Sequence, residues 1–101
     1  MTTTNPEEIK ARMNAGEELN LLDVREPNEH ADFNIGGILL PLGKVQTMQI
    51  DDIEGWKDSE VICYCRSGNL SMQACLMLET FGFSNVKNLV GGMLAWQAAG
   101  F

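Results

Sequence analysis

Short apolar runs along this chain alternate with stretches whose apolar residues recur every three or four positions. The runs are Leu19-Asn20-Leu21-Leu22-Asp23-Val24, Ile38-Leu39-Leu40 and Val61 to Tyr64, and Val86 to Leu89, apolar at its two ends, is read with them. Turn-forming or charged residues bound most of them, which predicts strands. Val61-Ile62-Cys63-Tyr64 is apolar throughout, as expected of a parallel strand buried on both faces. Between the runs the period changes. Asn5 can cap a helix with Pro6 at its first position, Glu7 and Glu8 in its first turn and Ile9 and Met13 on one face; Gly16 stops it. Pro27 to Phe33 predicts a short helix, with Gly36-Gly37 as a turn. Leu70, Ala74, Met77, Leu78 and Phe81 mark the buried stripe of a longer helix that ends at Gly82. Gly91-Gly92 turns the chain into a last helix carrying Leu94, Ala95 and Trp96. In residues 44–58, Val45, Met48, Ile50, Ile53 and Trp56 keep no clean period, and one or two short helical turns are expected there. Strands alternating with helices predict an α/β layer fold with a mostly parallel sheet. In such sheets ligands sit beyond the carboxyl ends of the strands.

Composition narrows the classes of partner. The 101 residues suit one domain, residues 1–101, with no repeat or linker. The net charge of −7 and pI of about 4.5 argue against nucleic acid, whose affinity comes from clustered Lys and Arg on phosphates. No run approaches the roughly 18–20 apolar residues of a membrane span, and the first residues lack the character of a signal peptide. Three cysteines with no export signal point to a reducing, cytoplasmic setting rather than a disulfide scaffold.

The candidate chemistry lies in Val61-Ile62-Cys63-Tyr64-Cys65-Arg66-Ser67-Gly68-Asn69-Leu70-Ser71. An apolar strand runs into a Cys, a polar Gly-bearing loop follows, and a helix begins. Loop N–H groups and a helix N-terminus direct positive charge at a sulfur placed there and favour its thiolate. Cys65 is the expected nucleophile. The N–H groups of residues 66–70 are the expected cradle, with Arg66 as a cation for an anionic donor. Ser67, Asn69 and Ser71 can hydrogen-bond within the loop or to an oxyanion, and Gly68 lets the backbone curl. The plainer alternative is a buried, inert core Cys before an ordinary loop and helix.

Four landmarks together resemble the rhodanese family of sulfurtransferases. They are Asp23-Val24-Arg25-Glu26-Pro27; Ile35-Gly36-Gly37 leading to Pro41-Leu42-Gly43; Cys65-Arg66-Ser67-Gly68-Asn69; and Leu89-Val90-Gly91-Gly92-Met93 with Trp96. The resemblance spans nearly the whole chain. It implies a three-layer fold with a four- to five-stranded, mostly parallel sheet flanked by helices. It also implies a loop Cys that carries a persulfide, without metal or organic cofactor. The donor would be a small sulfur anion such as thiosulfate. The acceptor would be cyanide in an assay, and a thiol or protein in the cell. Asp23 and Arg25 would support the active loop by salt bridge and hydrogen bond. This chain departs from the pattern in two places. Leu70 occupies a loop position where many relatives carry a second Arg. Phe33-Asn34-Ile35-Gly36-Gly37-Ile38 stands where relatives often show a Gly-His-Ile-Pro-Gly-Ala run, and the chain is one residue short after it. The first strand is reduced to polar residues, so four good strands plus a stub or missing edge are expected.

Other readings compete. A phosphatase or arsenate reductase with a Cys-x5-Arg loop needs Arg six residues after the Cys, where this chain has Ser71. A non-catalytic binding module would not need Cys65. A relay protein fed by a partner would share the Cys65 persulfide. Cys63, Cys65 and His30 lack standard zinc spacing. Cys63 and Cys75 are expected in the core, and His30 on a helix surface with no catalytic part.

Overall fold

The computed structural model describes residues 1–101. Its strands are β1 (Thr2–Thr4), β2 (Leu21–Asp23), β3 (Ile38–Leu39), β4 (Glu60–Tyr64) and β5 (Asn85–Leu89). The helices are α1 (Pro6–Asn14), α2 (Pro27–Asp32), α3 (Leu42–Gln46), α4 (Asn69–Thr80) and α5 (Gly92–Ala98). A 3-10 helix over Asp51–Trp56 accounts, with α3, for the segment that showed no clean period. The strands form one sheet in the order β1-β5-β4-β2-β3, every pair parallel. The fold is therefore α/β, with a five-stranded parallel sheet flanked by helices.

Local signals set the element ends. The Asn5 side chain accepts the Glu8 N–H at 2.9 Å, and Pro6 opens α1 where no N–H is needed. The polar Thr2–Thr4 segment is a paired edge strand, in register with Lys87, Asn88 and Leu89. Main-chain bonding supplies its place in the sheet where the side chains gave no apolar signal.

Alternation along β4 divides the core. Ile62 and Tyr64 join Ile9, Leu89, Met93 and Trp96 on one face of the sheet. Val61, Cys63 and Cys65 join Ala74, Cys75 and Leu78 on the other. One position in the expected stripe of α4 is corrected: Leu70 is 46% exposed, while Ser71 is fully buried. The inward face runs through Ser71, Ala74, Cys75 and Leu78. A polar residue lies inward at the helix start because it has partners there, and an apolar one lies outward over a cleft.

The topology positions that cleft. From β4 the chain crosses through α4 to β5 on one side, whereas from β2 it crosses through α2 to β3 on the other. The carboxyl ends of β2 and β4 therefore flank the point where the winding reverses, the place where open α/β sheets bind ligands. Val24 and Arg25 leave one strand there and Cys65 leaves the other. The Leu42 N–H donates to the Val24 carbonyl at 3.1 Å, which draws the start of α3 to the same rim.

Candidate active site

Cys65 follows the last residue of β4 and is 1% exposed, yet it lies in the wall of a cleft of about 540 Å3. Three donors converge on its sulfur. The Gly68 N–H lies 3.1 Å from Sγ, the Ser71 N–H 3.3 Å and the Ser71 hydroxyl 3.3 Å. The helix start explains this convergence. Gly68 is the N-cap of α4 at φ +97°, and it has no side chain to satisfy the orphan N–H groups of the first turn. The Cys65 sulfur does so instead and takes the role of a capping oxygen. A sulfur so placed is favoured as an anion. Burial pushes the Cys65 thiol up; hydrogen bonds from the Ser71 hydroxyl and from the N–H groups of Ser71, Gly68 and Ser67 outweigh it and hold the group below the ordinary thiol range.

The neighbouring thiol shows what the loop contributes. Cys63, two residues back on β4, is held well above the ordinary range by the adjacent Cys75 and by burial. It has no amide facing it, and it stays a neutral core residue. The two groups lie two residues apart on one face of the sheet; the cradle at Cys65, against Cys75 and burial at Cys63, separates their chemistry.

A second helix start secures the loop itself. Gly91 caps α5 at φ +75° and likewise lacks a capping side chain. The N–H groups of Met93 and Leu94 donate to the carbonyls of Cys65 and Arg66 at 2.9 and 3.0 Å. Gly92 allows this approach, since a Cβ there would sit 2.7 Å from the Arg66 carbonyl oxygen. Asn88 of β5 adds a side-chain brace. Its Nδ2 donates to the Gly68 carbonyl at 3.0 Å, and its Oδ1 accepts from the Ser71 hydroxyl. The polar Asn88 between Val86 and Leu89 is the sequence signal for this brace, and apolar periodicity does not register it.

The expected roles of other residues shift. The cradle around Sγ is made by Gly68 and Ser71, with Ser67 as a weaker fourth donor; Arg66, Asn69 and Leu70 make no hydrogen bond to the sulfur. Arg66 and Leu70 are exposed and line the cleft instead. Asp23 and Arg25 do form a buried pair, but its hydrogen bonds run within the pair and to His30 and Phe33, and none reaches residues 66–70. The Arg25 guanidinium is bidentate on Asp23 at 2.9 and 2.8 Å and also donates to the Phe33 carbonyl just after α2. His30 corrects the surface assignment: its Nδ1 lies 2.8 Å from Asp23 Oδ2, so it joins the same network. Burial pushes the Asp23 carboxyl up, but Arg25 and His30 more than offset it and leave the group below the usual carboxylate range. Below the pair, the Tyr64 ring lies 5.8 Å from the Arg25 guanidinium carbon. The buried Tyr64 hydroxyl is pushed up to about 12, chiefly by burial.

A strand-end Cys capped by the following helix, on a five-stranded parallel sheet, defines a class of protein. The family model for the rhodanese-like domain matches residues 5–99, and the chain belongs to that family. It is 38% identical to a sulfurtransferase of Allochromatium vinosum over 93% of this chain and 86% of that protein. It is 40% identical to the Bacillus subtilis protein YtwF over 88% of this chain and 84% of that one. Among solved structures, a thiosulfate sulfurtransferase of Pseudomonas aeruginosa superposes with a TM-score of 0.83 at 30% identity. That match covers 99% of this chain but 19% of the Pseudomonas one, so the likeness is to one part of a larger molecule.

Proposed function

We propose that this chain is a sulfurtransferase of the rhodanese type, with one domain over residues 1–101 and Cys65 as its nucleophile. It moves sulfane sulfur from a donor such as thiosulfate to a thiophilic acceptor through a Cys65 persulfide. The observation that carries this reading is the convergence of two N–H groups and a hydroxyl on one sulfur at the wall of a cleft. Family membership and the named sulfurtransferase relatives support it.

The chemistry follows from the geometry. The Cys65 thiolate attacks the outer sulfur of the donor. With thiosulfate, the S–S bond breaks and sulfite leaves with the bonding pair. The added sulfur then extends Sγ into the cleft, where a second nucleophile removes it. A covalent intermediate between two half-reactions predicts ping-pong kinetics. The acceptor is cyanide in an assay, and a thiol or protein thiol in the cell. No helix is long and apolar enough to cross a membrane. We propose the cytoplasm as the setting, where a reducing poise keeps all three thiols free.

Intact mass after incubation with thiosulfate tests the reading. A gain of one sulfur atom on Cys65, discharged by cyanide, is the expected result. Cys65→Ser should stay folded and gain nothing. A mass gain in that variant, or none in the native protein with any sulfane donor, refutes the assignment.

A further inference from the structure

The cleft over Cys65 carries charges of both signs. Arg25 lines it but is already engaged, since its guanidinium is bidentate on the buried Asp23. Three charges without an ion-pair partner remain: Arg66 on the loop, and Glu26 and Glu29, whose carboxylates cap the start of α2 on the wall that follows β2. None of them belongs to any ion pair of the molecule. Glu29 Oε1 accepts the Glu26 N–H at 3.1 Å, which holds that carboxylate at the start of α2 without neutralising it. One cation therefore faces two carboxylates, and a dianion entering the cleft meets repulsion as well as attraction. Leu42 and Leu70 add apolar surface that a small inorganic anion does not use. A volume of about 540 Å3 lies in the range that encloses organic ligands.

Given the sulfurtransferase reading above, on which this rests, we propose that the preferred sulfur donor is the persulfide of a small zwitterionic amino thiol, of the cysteine type. Its carboxylate meets Arg66, its ammonium meets Glu26 and Glu29, and its carbon chain lies against Leu42 and Leu70. The transfer balances without any oxidant. The Cys65 thiolate attacks the outer sulfur of R–S–SH, the Cys65 Sγ–S bond forms and the S–S bond of the donor breaks. The outer sulfur keeps its proton, and R–S⁻ leaves with the bonding pair and takes a proton from water.

Single-turnover mass gain at Cys65 tests this with three donors: cysteine persulfide, its N-acetyl, C-amide derivative, and thiosulfate. Each rate is divided by that of the same donor with a free small thiol. The native protein should load fastest from cysteine persulfide. The double variant Glu26→Gln with Glu29→Gln keeps an amide oxygen to accept the Glu26 N–H. It should load about fivefold more slowly from cysteine persulfide, and faster from thiosulfate. Opposite changes on the two donors support the proposal. Equal loading from the blocked and free persulfides overturns it, as does a change of the same sign on both donors. Loading from all donors without preference overturns only the donor assignment, whereas loading from none overturns the sulfurtransferase reading with it.

Discussion

The Ser71 hydroxyl stands 3.3 Å from Cys65 Sγ and also within hydrogen-bond reach of Asn88 Oδ1. A hydroxyl has one proton, so it can serve one of these acceptors at a time. Asn88 Nδ2 is engaged with the Gly68 carbonyl, which leaves its oxygen facing Ser71. When Cys65 is a thiolate the sulfur is the stronger acceptor, and the proton turns toward it. The charge on the sulfur is thus coupled to the orientation of one buried hydroxyl.

Ser71→Ala removes that donor and keeps the Ser71-position N–H. A hydrogen bond to a charged group is worth about 1.5–3 kcal/mol, and each 1.4 kcal/mol is about one pKa unit. The Cys65 thiol should therefore titrate about one to two units higher. Ultraviolet thiolate absorbance against pH checks this. Loading at neutral pH should fall and should recover as the pH is raised. A titration unchanged by the substitution would mean that the amides alone set the thiolate.

Asn88→Ala has the opposite signature. The Ser71 proton loses its competing acceptor and is free for the sulfur, so the Cys65 titration should not rise. The Gly68 carbonyl loses a buried partner at a cost of about 1–3 kcal/mol. Chemical denaturation should show that loss, and the pH titration should show no upward shift. A rise like that of Ser71→Ala would assign Asn88 a direct part in holding the sulfur.

The Asp23 network predicts an acid-side dependence. Its carboxyl is held below the usual range in the folded chain. Its contribution is therefore whole above the unfolded value of about 4 and drains as pH falls through the lower folded one. Asp23→Asn leaves the Arg25 guanidinium buried without its counter-charge and should cost about 3 kcal/mol or more at neutral pH. Denaturation curves of the two proteins should converge as the pH drops below about 4. A constant gap down to low pH would show that Asp23 acts by shape and hydrogen bonding alone.

Leu70, in the first turn of α4, is 46% exposed and lines the cleft over Cys65. Leu70→Arg adds a cation opposite the carboxylates of α2. Thiosulfate loading should rise about two- to fivefold, the worth of one partly solvated charge contact. Steady-state kinetics with thiosulfate checks this through the donor KM. No change would place donor affinity elsewhere in the cleft.

The amino-acid order alone determined most of the architecture and the place of the candidate Cys65 at a strand end. The apolar run ending at Cys65, Gly68 after it and the period-3.6 pattern beyond are local features, and local sterics turn them into strand, loop and helix. The Asn5 cap and Pro6 start are equally local. What only the tertiary structure decided is which groups meet across the sheet. Asn88 lies twenty positions from Gly68 and His30 lies seven from Asp23, and their partnerships exist because β5 and α2 are brought beside the strand ends. The same holds for the N–H groups of Met93 and Leu94, which reach the loop carbonyls only once α5 docks. Helix periodicity placed Leu70 inward because it counts apolar residues and not partners. Buried partners for the Ser71 hydroxyl, visible only in three dimensions, turned that helix start by one residue.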